Sequence, residues 1–211
     1  MSPPPTRRAG LLDRAVQQRD ARLFLVASED THAVRQYFAA LESNGVVDVR
    51  RVRVVVLDTG DSGHSDPAAV RQRLADVERD LDELRPMDER WLCLDVDHWA
   101  TGRHTPNLAR ACKEALEVGY QLAVSNPAFE VWLLLHFGEE PESTQAACEA
   151  RIRALTGSYD KTRLRPERYT APAVTQAIER ARALDVDPTQ RWPQAPGTHV
   201  YRLVERLPRR A

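Results

Sequence analysis

Apolar residues recur along this chain in two alternating patterns. Four short runs are apolar almost without interruption: Arg22–Ala27 (RLFLVA), Val52–Leu57 (VRVVVL), Trp91–Leu94 (WLCL) and Tyr120–Val124 (YQLAV). Runs of this length and character predict strands buried on both faces, as in a parallel sheet. Between them the spacing changes to three and four residues. Val34, Tyr37, Phe38 and Leu41 predict a helix from His32 to Ser43 that stops at Asn44-Gly45. Val70, Leu74, Val77, Leu81 and Leu84 predict a long charged helix over Asp66–Leu84, closed by Arg85-Pro86, and a third helix spans Pro106–Val118. Beyond Val124 the segment Ser125–Phe137 (SNPAFEVWLLLHF) reads as one helix apolar on most sides, with Asn126 as N-cap and Pro127 at its first position. Helices then follow at Ser143–Leu155 and Ala171–Leu184. A link with three prolines over Asp185–Pro196 leads to a last amphipathic helix, Gly197–Leu207.

Strands that alternate with helices and then cease predict an α/β fold: an open parallel sheet with flanking helices and a C-terminal helical extension. The predicted division is a disordered or short helical segment over 1–21, an α/β domain over 22–140 and a basic helical extension over 141–211 packed on it. The first ten residues, rich in proline and arginine, carry the expectation of disorder.

Composition changes this picture little. With 42% hydrophobic and 29% charged residues the chain reads as an ordinary water-soluble protein. The run Val131–Leu135 is too short to span a bilayer, no signal-peptide pattern opens the chain, and Cys93, Cys112 and Cys148 lack metal-ligand spacing. A cytoplasmic protein with no membrane association is expected. Charge is more informative. Residues 151–211 hold 13 Lys and Arg against 6 Asp and Glu, while the remainder holds 17 against 25. An acidic part joined to a basic part suits a metal site beside a phosphate-binding surface, and equally a solvated basic helix face.

The chemistry centres on the third strand, which ends in Asp95-Val96-Asp97. Strand residues two apart point the same way, so the two carboxylates can converge at the carboxyl edge, where open α/β sheets bind ligands. Converging carboxylates call for a proton or a hard cation such as Mg²⁺. The loop Thr59–Gly63 carries glycines but lacks the Gly-Lys-Ser/Thr of a P-loop. Glu130, inside an apolar helix, requires a partner: its own helix terminus, a basic residue or the acidic site.

Glu29 after the first strand and Asp95-x-Asp97 after a later one resemble the Toprim arrangement of topoisomerases, primases and several nucleases. The fuller resemblance, over about Arg22–Leu207, is to the RloB-like family of Toprim-like bacterial proteins. It rests on Ser28-Glu29-Asp30-Thr31 with Tyr37-Phe38, on Asp95-Val96-Asp97, on Ser125–Phe137, on Tyr159-x-Lys161 and on Thr198-x-Val200-Tyr201-x-Leu203-Val204. Two positions depart from the family's pattern. Asp30 stands where a glycine is usual, and His98 follows Asp97 where an acidic residue and then a histidine are usual.

The resemblance implies a Toprim-type nuclease that hydrolyses phosphodiesters of RNA, transfer RNA included, or of DNA, with Mg²⁺ or Mn²⁺. Its setting would be antiviral defence or abortive infection, beside an ATPase encoded nearby. By the same resemblance Glu29, Asp95 and Asp97 would hold the metal, with Glu29, Glu130 and Lys161 catalytic and Asn126 and His136 touching substrate. The residues by themselves leave Asn126 as a helix cap, His136 as a buried histidine and Lys161 as an exposed lysine. A homo-oligomer is compatible with the chain, although no heptad marks an interface. Two further readings stay open. One is a non-catalytic partner subunit of a defence ATPase with a structural acidic pocket. The other is an aspartyl-phosphate phosphatase, which the mid-chain position of Asp-x-Asp and Trp99 oppose.

Overall fold

The computed structural model describes residues 21–58, 66–81, 84–96 and 105–210. Asp97, His98, the loop 59–63 and the N-terminal segment 1–20, all subjects of sequence expectations, lie outside the described residues. The chain order is β1 (Arg22–Ser28), α1 (Thr31–Ser43), β2 (Val52–Val56), α2 (Pro67–Asp80), β3 (Glu89–Asp95), α3 (Thr105–Glu117), β4 (Gln121–Asn126), α4 (Glu130–Leu135), α5 (Gln145–Thr156), a 3₁₀ turn (Pro166–Arg168), α6 (Ala171–Leu184), β5 (Gly197–Thr198) and α7 (Val200–Arg206).

One five-stranded sheet has the order β2-β1-β3-β4-β5. The first four strands are mutually parallel, and β5 pairs antiparallel with β4. Alternate strand residues feed two separate cores, as the two-residue period requires. Phe24, Val26, Trp91, Cys93 and Ala123 meet residues of α1 and of α4 to α7 on one face. Leu23, Leu25, Leu92, Leu94, Leu122 and Val124 meet α2 and α3 on the other. Residues beyond 140 supply much of the first core, including Val174, Ile178, Val200 and Leu203.

The order has a consequence for function. From β1 the chain crosses outward to β2 and then returns past β1 to β3, so the winding reverses between β1 and β3. The crevice outside the carboxyl ends of two such strands is where open α/β sheets take their ligands. Glu29 follows β1 and Asp95 ends β3 at this reversal.

Three expectations need correction. The helix predicted over Asp66–Leu84 ends at Asp80, because Leu81 turns to extended backbone. Strands do not cease at Val124: Thr198 pairs with Ser125 and Gly197 with Asn126, so the predicted helix Gly197–Leu207 begins only at Val200. Asn126 is a strand residue rather than an N-cap. The Asn126–Pro127 peptide is cis, and helix α4 begins at Glu130, after Phe129, without a side-chain cap. The pairing of β4 with β5 keeps Asn126 in the sheet, and Phe129 takes the cap position of α4 instead.

Candidate functional site at the carboxyl edge of the sheet

Each strand that meets the reversal delivers a carboxylate by a local device. β1 ends at Ser28, whose hydroxyl donates to the carbonyl of Asp30 at 3.1 Å. Asp30 caps α1: its Oδ1 accepts the backbone N–H groups of His32 at 3.0 Å and Ala33 at 3.1 Å. A side-chain oxygen there satisfies donors that a helix start leaves unpaired. The Asp30 that departs from the family's glycine therefore has a structural role. Glu29 lies between these anchors and reaches across to β3, where its Oε1 accepts the Asp95 N–H at 3.2 Å.

Asp95 is 8% exposed. Burial first, and then the negative charges of Glu29, Glu130 and Asp30, push its carboxyl well above the ordinary aspartate range. Glu130, at the start of α4, is 1% exposed and accepts a hydrogen bond from the Tyr159 hydroxyl at 2.8 Å. Its burial, reinforced by Asp30 and Glu149 against the Tyr159 hydrogen bond, raises its pKa as well. The partner required by a buried glutamate is thus a tyrosine hydroxyl. Tyr159 stood in the sequence as part of a motif, but its distance from Glu130 along the chain hid the pairing.

Two cations enter from opposite layers. The Lys161 ammonium lies 3.1 Å from Asp30 Oδ2. Partial burial works against its charge, but Asp30, Glu130 and Glu149 together raise its pKa. From α2, Arg73 Nη1 donates to the Ser28 carbonyl at 3.1 Å. Gly157 ends α5 at φ 78°, a left-handed turn that directs the chain into the segment bearing Tyr159 and Lys161.

The structure therefore brings together Glu29, Asp95, Glu130 and Lys161, and adds Asp30 and Tyr159, which sequence reasoning had not proposed as site residues. Asn126 stands at the carboxyl end of β4 with its Nδ2 donating to the Pro193 carbonyl at 2.9 Å. His136 belongs to the core. Its Nδ1 lies 2.9 Å from the Trp132 carbonyl and its Nε2 3.3 Å from the Tyr37 hydroxyl, so a neutral ring donates to the first and accepts from the second. Asp58, at the end of β2, pairs with Arg35 at 2.5 Å and is exposed to solvent. Sequence reasoning also missed why the Thr198-x-Val200-Tyr201 motif matters. Thr198 Oγ1 shares a 2.7 Å hydrogen bond with Ser125 Oγ, the neighbour of Asp95 in the ladder.

Oxygen-only donors with excess negative charge suit a hard divalent cation chemically. Among the described residues, no three His, Cys, Asp or Glu side chains are arranged to hold one ion. Asp97, the other half of the Asp-x-Asp pair, lies outside them. No described helix is long and apolar enough to cross a membrane.

One family model, described as RloB-like protein, matches residues 24–207. The chain belongs to the RloB-like family. Comparison with curated proteins and with solved structures finds no match. The matched span runs from within β1 to just beyond α7, so every described strand and helix belongs to the RloB-like unit.

Proposed function

We propose that this RloB-like protein is a metal-dependent nuclease of Toprim type, hydrolysing phosphodiesters of RNA or DNA in antiviral defence. One observation carries the reading: a buried Asp95 at the β1/β3 reversal is surrounded by the charges of Glu29, Asp30 and Glu130. Such a cluster is costly as it stands and is relieved by a bound cation. Asp95 and Asp97, with Glu29, would hold Mg²⁺ or Mn²⁺. A divalent ion there supplies charge stabilisation to a phosphodiester undergoing attack. Glu29, already an acceptor toward β3, is suited to orient or deprotonate a water. Lys161 offers a cation to a phosphate or leaving group once released from Asp30. Tyr159 fixes the Glu130 carboxylate at the rim. The defence setting and an ATPase partner follow from the family resemblance alone.

The test is cleavage of plasmid DNA, total RNA and transfer RNA by purified protein with Mg²⁺ or Mn²⁺, beside Glu29→Ala. Cleavage that requires both metal and Glu29 is expected. Cleavage retained by Glu29→Ala would overturn the assignment.

A second reading, a non-catalytic partner subunit, has its own observation. Lys161 already neutralises Asp30 and Tyr159 already satisfies Glu130, so part of the acidic cluster is internally balanced. Defence activity that survives Asp95→Ala in cells would favour this reading.

A further inference from the structure

A groove of about 530 Å³ runs beside the acidic site, between α5 and the segment 158–169. Arg163, Arg165 and Arg168 line it, and all three side chains are exposed. None of them forms an ion pair among the described residues, whereas arginines elsewhere do, such as Arg22, Arg151 and Arg206. The Arg165 guanidinium donates to the neutral Ser158 hydroxyl at 3.2 Å. The groove also holds two carboxylates, Asp160 and Glu167. Asp160 is turned onto Thr162, accepting its N–H at 2.8 Å and its hydroxyl at 2.7 Å. Aromatic surface completes the lining: Phe137 and Tyr159 are half-buried, and Tyr169 forms part of the floor.

We propose that this groove binds single-stranded nucleic acid and leads its phosphates to the acidic site. Exposed guanidinium groups beside aromatic faces form the combination that holds a strand without reading its sequence. Forked guanidinium groups match phosphate oxygens, and stacked bases are held by the rings. The groove and the acidic site share a wall, because Tyr159 lines the one and hydrogen-bonds Glu130 of the other. Lys161, two residues further, touches Asp30. A strand lying on the arginines therefore meets Tyr159, whose hydroxyl is bonded to the acidic site. This inference deepens the nuclease reading and rests on it for the strand's destination, although not for its binding.

The test measures binding without chemistry. Fluorescein-labelled single-stranded 12-mers of RNA and of DNA are titrated in EDTA and followed by anisotropy. The variants are Arg163→Ala/Arg168→Ala and, as a control that removes the same charge elsewhere, Arg50→Ala/Arg110→Ala. All four side chains are exposed, and circular dichroism verifies the fold. The groove variant is expected to bind tenfold or more weakly, and the control within twofold of wild type. The salt dependence should also flatten by about 1.4 in log–log slope, roughly 0.7 for each lost phosphate contact. The RNA and DNA arms identify the strand's sugar. No binding by wild type, or equal losses in both double variants, would overturn the groove. Groove-dependent binding without metal-dependent cleavage would sustain this inference and overturn the nuclease reading. Cleavage by a groove variant at wild-type affinity would do the reverse.

Discussion

Burial among Tyr37, Trp132 and Tyr169 lowers the His136 pKa from 6.5 to about 4, against the opposing pull of its backbone hydrogen bonds. The unfolded chain therefore takes up a proton near pH 6.5 that the folded chain refuses until about pH 4. Stability from this residue is full above pH 6.5 and is lost as pH falls toward 4, by at most about 3 kcal/mol. Asp95 and Glu130 act with the opposite sign. Their raised pKa values mean that stability is greatest while they are protonated and declines as pH rises through their folded pKa. Comparing variants separates the two effects. His136→Gln should be less stable than wild type at pH 7, having lost ring packing, yet should lose less further stability between pH 6.5 and 4.5. Parallel curves of melting temperature against pH for the two proteins would show that His136 does not govern acid unfolding in that window.

At the scale of elements, Asp30 links a helix start to the site, and its two functions can be separated. Asp30→Asn keeps a capping oxygen for His32 and Ala33 but removes the charge opposite Lys161, whereas Asp30→Ala removes both. Loss of a cap costs about 1 kcal/mol. For a chain of this length that is roughly 2–4 °C of melting temperature. Asp30→Ala should fall by that amount and Asp30→Asn by much less. Equal falls would place the stabilisation in the ion pair. The same element shows which features the sequence made legible. Helix α1 was readable almost to the residue, because its apolar spacing and its Asn44-Gly45 stop agree. The ends of β1 and β3, and hence Glu29 and Asp95, were readable because continuous apolar runs break into charge there. Around Asn126 the local pattern misled. Pro127 after a capping residue imitates a helix start, but the backbone of Asn126 is held by Gly197 of β5, far along the chain. Pairing with a two-residue strand leaves no periodicity in the sequence, so neither β5 nor the contact of Thr198 with Ser125 could be anticipated.

At the scale of the whole molecule, strand order and loop return decide the site. The alternation of strands and helices implied a parallel sheet, but not that β1 and β3 would be neighbours with the winding reversed between them. Nor did it indicate that a turn after α5 would return Tyr159 and Lys161 to β1 and α4. The acidic cluster is a product of this convergence, and its response to metal is the most direct test of it. A ligand that binds only the folded state raises its stability in proportion to the logarithm of concentration over Kd. Mg²⁺ or Mn²⁺ should therefore raise the melting temperature of wild type, and EDTA should reverse the rise. Asp95→Asn should lose that response and, without metal, should melt about 2–4 °C above wild type, as expected for roughly 1 kcal/mol of relieved repulsion. Glu130→Gln tests the other side of the cluster. It retains an acceptor for the Tyr159 hydroxyl and removes a buried charge, so it should fold and melt no lower than wild type without metal. Its metal-dependent cleavage should fall tenfold or more, about 1.4 kcal/mol of transition-state stabilisation. Glu130→Gln with full cleavage and an unchanged metal titration would confine Glu130 to holding the 157–161 turn, and equal metal shifts in wild type and Asp95→Asn would remove Asp95 from the ion's ligands.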